Sequence, residues 1–277
     1  MFDRTQEQVF ERAREFFPAL SGGGPIRSGP DRPTLVESHH PLPEVAMTQL
    51  ATPSVLETDA TDSRPWRWAG GLALAHVVIL FAGFSQEVAV THGTSLTELQ
   101  DKYGSADLNR VFAGGYVEAM AFVVLVPALV LIARLFGRRT ETGRVAAQTF
   151  LGLGVVYAAA TLAVGFAPGA AAIYAAHHDV PISTIATVND IRNYSYILQV
   201  AISLAMALAL GVAALAERIH VRWVGWCGVA VGAIGLVATP FAHNALGMAQ
   251  LIWWVGLAVL LLRGAPATAS DRSLPNA

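Results

Sequence analysis

Cysteine, lysine and charge are the scarce components of this 277-residue chain, and each scarcity removes a class of function. With only one cysteine, Cys227, there can be no intrachain disulfide and no multi-cysteine metal site. Among its apolar neighbours, Cys227 reads as a small packing residue. Lys102 is the single lysine among 18 basic residues, and this arginine bias fits coding preference in a GC-rich genome better than a recognition device. A net charge of -2 provides neither a basic field for nucleic acid nor an acidic tail for cations. The sequence contains no glycine-rich phosphate loop, nucleophile elbow, HExxH or cysteine-pair motif, so no cofactor is expected.

Charged residues make up 14% of the chain and hydrophobic residues 54%, with a mean hydropathy of +0.49. A soluble domain has about a quarter of its residues charged, so this chain is too apolar for that class. The missing charges are missing from six stretches, each close to the ~20 residues that a spanning helix needs. They cover roughly residues 68–90, 111–133, 145–167, 193–216, 223–242 and 245–262. Arginines fill every second gap. Arg64 and Arg67 precede the first stretch, and Arg134, Arg138, Arg139 and Arg144 follow the second. Arg218 and Arg222 follow the fourth, and Arg263 the sixth. Because cytoplasmic loops are enriched in Arg and Lys, the pattern predicts an all-α polytopic bundle of six transmembrane helices over residues 66–264 with both termini cytoplasmic. Trp66, Trp68, Trp223 and Trp226 stand at the expected cytoplasmic boundary, where indoles favour the headgroup level.

Residues 1–65 have a different composition. Val9, Phe10, Ala13, Phe16 and Phe17 share one side of an expected amphipathic helix over residues 2–17. Beyond it SGGGP, SGPDRP and HPLP punctuate a stretch with too few apolar residues to order, which reads as a disordered cytoplasmic linker. The segment lacks the apolar core and cleavage site of a secretory signal, and Met47 offers an alternative start shortly before the first span. Residues 265–277 read as a disordered C-terminal tail. Between spans one and two, Ser95 and Glu98 form a capping box that opens a short surface helix, and His177 to Asp190 reads as a second polar loop on the same side.

An echo at an offset near 82 residues relates Asp107–Arg110, its apolar span and the Arg-bearing turn after that span to Asp190–Asn193 with a span and turn of the same kind. A duplication of this kind would relate spans two and three to spans four and five about an axis along the membrane normal. Small residues should mark buried helix faces, because lipid tails already solvate large apolar side chains. Gly225, Gly228, Gly232 and Gly235 do so in span five. Gly228 and Gly232 form a GxxxG whose expected use is packing within the chain, with an oligomer through these two residues as the alternative.

Ionisable groups in a span are costly when charged and are site candidates by default. Glu118 lies about 10 Å inside span two, on the side of Gly114, Gly115 and Ala121. His76 lies about 12 Å inside span one, with Ala69, Ala73, Leu80 and Gly83. Gln199 and Gln250 enter spans four and six to a depth of about 9 Å from the same side as Glu118. The expected arrangement is an outward-opening polar pocket of Glu118, Gln199, Gln250 and Tyr196 with His76 at its floor. His177, His178 and His243 on the outer side are weaker candidates for a metal, since adjacent histidines lack the spacing of a helical zinc motif.

Asn193 and Tyr194 near the start of span four, the short Arg-bearing turn, and the WxGWxG-like start of span five at Trp223, Gly225, Trp226 and Gly228 can be taken together. From Trp66 to Gly264 the chain thereby resembles bacterial six-helix integral membrane proteins grouped as domains of unknown function. The resemblance implies the topology and carries no catalytic residues across, and a plasma-membrane setting is expected of such a bundle. The residues themselves suggest a small-solute or proton-coupled carrier with an intramembrane carboxylate, whose partners are the lipid bilayer and a small solute or proton. Two alternatives are a membrane scaffold or regulator acting through its N-terminus, and a membrane enzyme with a histidine metal site on its outer face.

Overall fold

The computed structural model describes residues 63–88, 90–91, 93–219 and 222–264, all within one compact unit. The expected helix at residues 2–17, the linker, Met47 and the C-terminal tail lie outside the described residues. Among the described residues six helices occur in chain order: α1 (Arg64–Phe84), α2 (Leu96–Gly104), α3 (Leu108–Phe136), α4 (Glu141–Ala176), α5 (Ile182–Ala216) and α6 (Arg222–Leu262). Among the described residues there is no strand. All but α2 are long and apolar enough to cross a membrane.

Local chemistry sets the helix ends. Pro65 occupies the first turn of α1, where a missing N–H costs nothing. Asp107 caps α3 by accepting from the N–H groups of Asn109 and Arg110, and Thr140 caps α4 by accepting from Gly143 N–H at 3.0 Å. Half of the expected capping box opens α2, with Glu98 N–H donating to Ser95 Oγ at 3.2 Å while the Glu98 carboxylate pairs with Lys102 at 2.8 Å. α4 runs past the expected end of span three through a π-helical turn, Thr161–Phe166, in which the Thr161 hydroxyl donates to Tyr157 O.

Two boundaries differ from the sequence expectation. α1 ends at Phe84, so Glu87 stands beyond the helix rather than inside span one. α5 begins at Ile182, so most of the expected His177–Asp190 loop is helix. Its Ile185 and Asn189 are buried while Ser183, Thr184 and Thr187 face out, an amphipathic stripe that overall polarity hides.

The last helix reverses on itself. Ala242 has non-helical angles (φ -139°, ψ 27°) two residues after Pro240. Trp253 Nε1–H donates to Val224 O at 3.2 Å, across 29 positions of sequence. A straight helix would hold those residues about 43 Å apart. The two halves of α6 therefore lie side by side and pack together against α5.

Glycines permit these crossings. A Cβ on Gly211 of α5 would come within 2.6 Å of Val229 N and 2.8 Å of Gly225 O, both backbone atoms. Gly228 and Gly232 face Ala207, Leu204 and Leu208 of α5, so the GxxxG is used inside the chain, and an association of two copies through it would have to open this crossing. Gly211→Ala should lower unfolding stability in detergent by about 1–3 kcal/mol, because backbone cannot yield as a side chain can. An unchanged melting temperature would show that α5 and α6 are not in contact there.

The main core lies between α1, α3, α4, α5 and both halves of α6, around Phe122, Leu129, Ile132, Phe150, Leu210 and Leu257. Trp66 belongs to it, 5.6 Å from the Phe136 ring, whereas Trp68, Trp223 and Trp226 are exposed as expected of boundary indoles. A smaller core at the opposite end of the bundle joins α2 to α4 and α5 through Leu99, Tyr103, Ile173 and Ile185. The expected surface helix α2 is therefore docked, with Tyr103 fully buried.

At the arginine-rich end, the buried Glu217, which closes α5, holds the turn that opens α4. Its carboxylate accepts from Arg139 N–H at 2.9 Å, Thr140 N–H at 3.0 Å and the Thr140 hydroxyl at 3.1 Å. A Cβ on Gly143 would collide with Glu217 Oε1.

Candidate functional site

Glu118 sits at a close approach of α1 and α3. A Cβ on Gly83 would lie 2.5 Å from Glu118 Cγ and 2.7 Å from Gly114 O, so only glycine lets the two helices meet at this level. Gly114 is used in the same way, facing Gly83 O and Gln86, whereas Gly115 faces open space. The Glu118 side chain is 0% exposed, and neither carboxyl oxygen has a hydrogen-bond partner. An unsatisfied buried carboxyl costs stability, so a fold that keeps one invites a functional reading.

The expected pocket members fall into separate neighbourhoods. His76 shares the α1–α3 seam with Glu118. Its ring Nδ1–H donates to Ala121 O at 2.9 Å, one turn along α3 from Glu118, and its edge meets the Phe122 ring. Gln199 lies in the α4–α5 seam, donating to Ser195 Oγ at 3.2 Å and pressed against Gly165 of the π-helical turn. Tyr196 lies between α5 and α6, edge-on to His243 and beside Gly247. Gln250 is partly buried in the second half of α6. Glu118 thus has no hydrogen bond to Gln199, Gln250 or Tyr196.

A second polar cluster, with no counterpart in the sequence expectation, lies beside Glu118. Arg192 of α5 donates to Glu87 Oε2 at 2.6 Å and to Val88 O at 3.4 Å. This ion pair is largely sealed, with side-chain exposures of 14% and 7%. Gly169 of α4 makes room for it, since a Cβ there would stand 2.9 Å from Arg192 Cδ and Nε. Tyr103 donates to Asn189 Oδ1 at 2.6 Å, and Asn189 lies one turn before Arg192 on α5. Burial pushes the Tyr103 hydroxyl above its ordinary range. Burial likewise pushes the Glu87 carboxyl up, with Arg192 pulling in the opposite direction. Glu87 and Arg192 are both close enough to act electrostatically on Glu118.

The signal for this cluster is present in the spacing of Ile182, Ile185, Asn189 and Arg192, at three, four and three residues, which puts an arginine on a buried helix face. The partners of Arg192, Glu87 and Val88, come from the stretch after α1, and no local pattern joins that segment to it.

His178 stacks on Tyr174 and bonds Tyr174 O through Nδ1, and His177 lies just past the end of α4. Among the described residues no group of three or more His, Cys, Asp or Glu side chains could hold a metal ion.

Five helices long and apolar enough to span, packed around small-residue crossings with buried polar groups between them, define the class: a multi-pass α-helical membrane protein. No family model, curated protein or solved structure matches the chain, so the geometry alone carries any finer reading.

Proposed function

We propose that this protein crosses the plasma membrane six times, with both termini cytoplasmic, and acts as a small-solute or proton carrier in which Glu118 takes up and releases the proton. Six crossings are supported by the reversal at Ala242. A continuous 41-residue helix would be about 60 Å long, twice the hydrocarbon thickness, whereas each half matches one crossing. Orientation is supported by Arg64, Arg67, Arg134, Arg138, Arg139, Arg144, Arg218, Arg222 and Arg263 at one end of the bundle. Reporter fusions test this part. A reporter joined after Gly264 should be active only in its cytoplasmic form, and one inserted at Asp179 only in its exported form. The same sidedness at both positions would reject the six-span arrangement.

The carrier reading rests on one observation. Glu118 is a fully buried carboxyl inside a spanning helix, with both oxygens unpartnered. Structural glue would have satisfied it, since an unmade buried hydrogen bond is costly. Purified protein in liposomes, under an imposed pH gradient, should pass protons in the wild type and lose that flux in Glu118→Gln. Equal flux in the two proteins would end this reading.

A further inference from the structure

We propose that the Glu87–Arg192 ion pair is the gate that separates Glu118 from water at the α2 end of the bundle, with the cleft beside Asn189 as its vestibule. The inference rests on the carrier reading of Glu118 and adds the residues that control access to it.

The connection is physical at each step. A cleft of about 180 Å³ opens between the α1–α2 connection and the start of α5, lined by Thr91, Thr94, Leu99, Asn189 and Asp190. Asn189 carries the route inward, because its Oδ1 is held by the buried Tyr103 hydroxyl and it stands three residues before Arg192 on the same side of α5. Arg192 in turn is clamped by Glu87 and Val88 O, and acts electrostatically on the sealed Glu118. Polar groups of α5 and of the stretch after α1 therefore stand between the surface cleft and a carboxyl that has no partner of its own, and the buried ion pair is the charged link among them.

The ion pair is suited to switching. Arg192 presents several donors and uses only part of them on Glu87, so its guanidinium can exchange one carboxylate for another. Glu118 is an unsatisfied buried acceptor on α3, packed against Gly83 four residues before Glu87. Gly169 lets the Arg192 side chain lie against α4, where a Cβ would stand 2.9 Å from its Cδ and Nε. The charged and titratable groups facing Glu87 are Arg192 from α5, Tyr103 from α2 and Glu118 from α3. Burial raises the pH at which Glu87 takes a proton, so the clamp is intact above that pH and loosens as pH falls through it. Acid on the vestibule side would thus open the route to the carboxyl.

The test uses full-length protein in lipid nanodiscs. In a Cys227→Ser background, Glu118→Cys places a thiol at the sealed position, and a charged methanethiosulfonate reagent reports water access. The thiol should be nearly inert with the ion pair intact, and adding Glu87→Gln should raise its reaction rate at least about tenfold, because a buried ion pair that loses one partner is strongly destabilised. The ratio of the two rates should shrink towards one as pH falls, since acid neutralises Glu87 in the protein that retains it. A second measurement keeps the native carboxyl: a water-soluble carbodiimide, scored at Glu118 by mass spectrometry, should modify Glu87→Gln faster than wild type. Rates that are equal with and without Glu87→Gln in both measurements would overturn the gate. If Glu118→Gln abolishes proton flux while Glu87→Gln leaves access unchanged, the gate fails and the carrier reading stands. If Glu87→Gln opens access while flux survives Glu118→Gln, the carrier reading fails and the gate stands.

Discussion

Glu118→Gln is expected to reduce proton flux about a hundredfold or more while leaving the protein as stable as the wild type, or more so. The loss follows from chemistry, because an amide of the same shape cannot take up and release a proton, and removing a proton-transferring group typically costs a factor of about a hundred to ten thousand. The gain follows from burial, because the carboxyl is fully enclosed and neither oxygen is bonded. Glu118→Met, which keeps the length of the side chain against Gly83 and discards the unsatisfied oxygens, should raise stability by about 1–3 kcal/mol. Thermal unfolding of purified protein together with liposome flux provides both readings. Flux lost with stability kept or raised is the signature of a site maintained against the interest of the fold. Destabilisation by a similar amount in both variants would instead make Glu118 a structural residue.

The largest loss of stability is expected at the other end of the bundle. Glu217→Ala removes a carboxylate that accepts from two backbone N–H groups and one hydroxyl, leaving the donors of Arg139 and Thr140 unpaired at a buried helix start. Charge-assisted hydrogen bonds to such groups are worth more than neutral ones, and the expected cost is about 3 kcal/mol. The carboxylate also sits at the N-terminal end of α4, where the helix dipole favours negative charge. Glu217→Gln should recover only part of the loss, because its amide N–H groups would face donors. Gly143→Ala should act through the same contact, since its Cβ would collide with Glu217 Oε1 and push the carboxylate out of its place. A double-mutant cycle in detergent should therefore show non-additivity, with Gly143→Ala costing less once Glu217 is absent and its remaining cost coming from Thr140 Oγ1, 2.7 Å from the added Cβ. Additive effects would mean that the α3–α4 turn and the end of α5 are not held together by this carboxylate.

How much of this can be read in advance depends on the range of the interaction involved. The three- and four-residue spacing of small residues around His76 and Glu118 places both on buried faces, and both are buried. Two apolar stretches separated near Ala242 signal the reversal within α6, although Pro240 inside a continuous helix would also suit a simple kink. Hydropathy averages over both faces of a helix, so it hides the buried stripe on an outwardly polar segment and leaves Arg192 looking like a loop-side arginine. Glu87 escapes notice for a similar reason, because it falls within the apolar window of span one.

The sequence by itself determined the class of this protein. Long stretches without charge leave the backbone no partner but itself in lipid, so helices of spanning length follow from composition alone. Capping residues such as Ser95, Asp107 and Thr140, and the small residues along each buried face, are equally local and equally readable. Only the tertiary structure decided which polar groups meet. It separated Gln199 and Tyr196 into other helix seams, joined Arg192 to Glu87 across 105 positions and Tyr103 to Asn189 across 86, and left Glu118 alone. Those pairings depend on where glycines such as Gly83 and Gly169 let helices and side chains approach, and that is a property of two packed surfaces rather than of either segment.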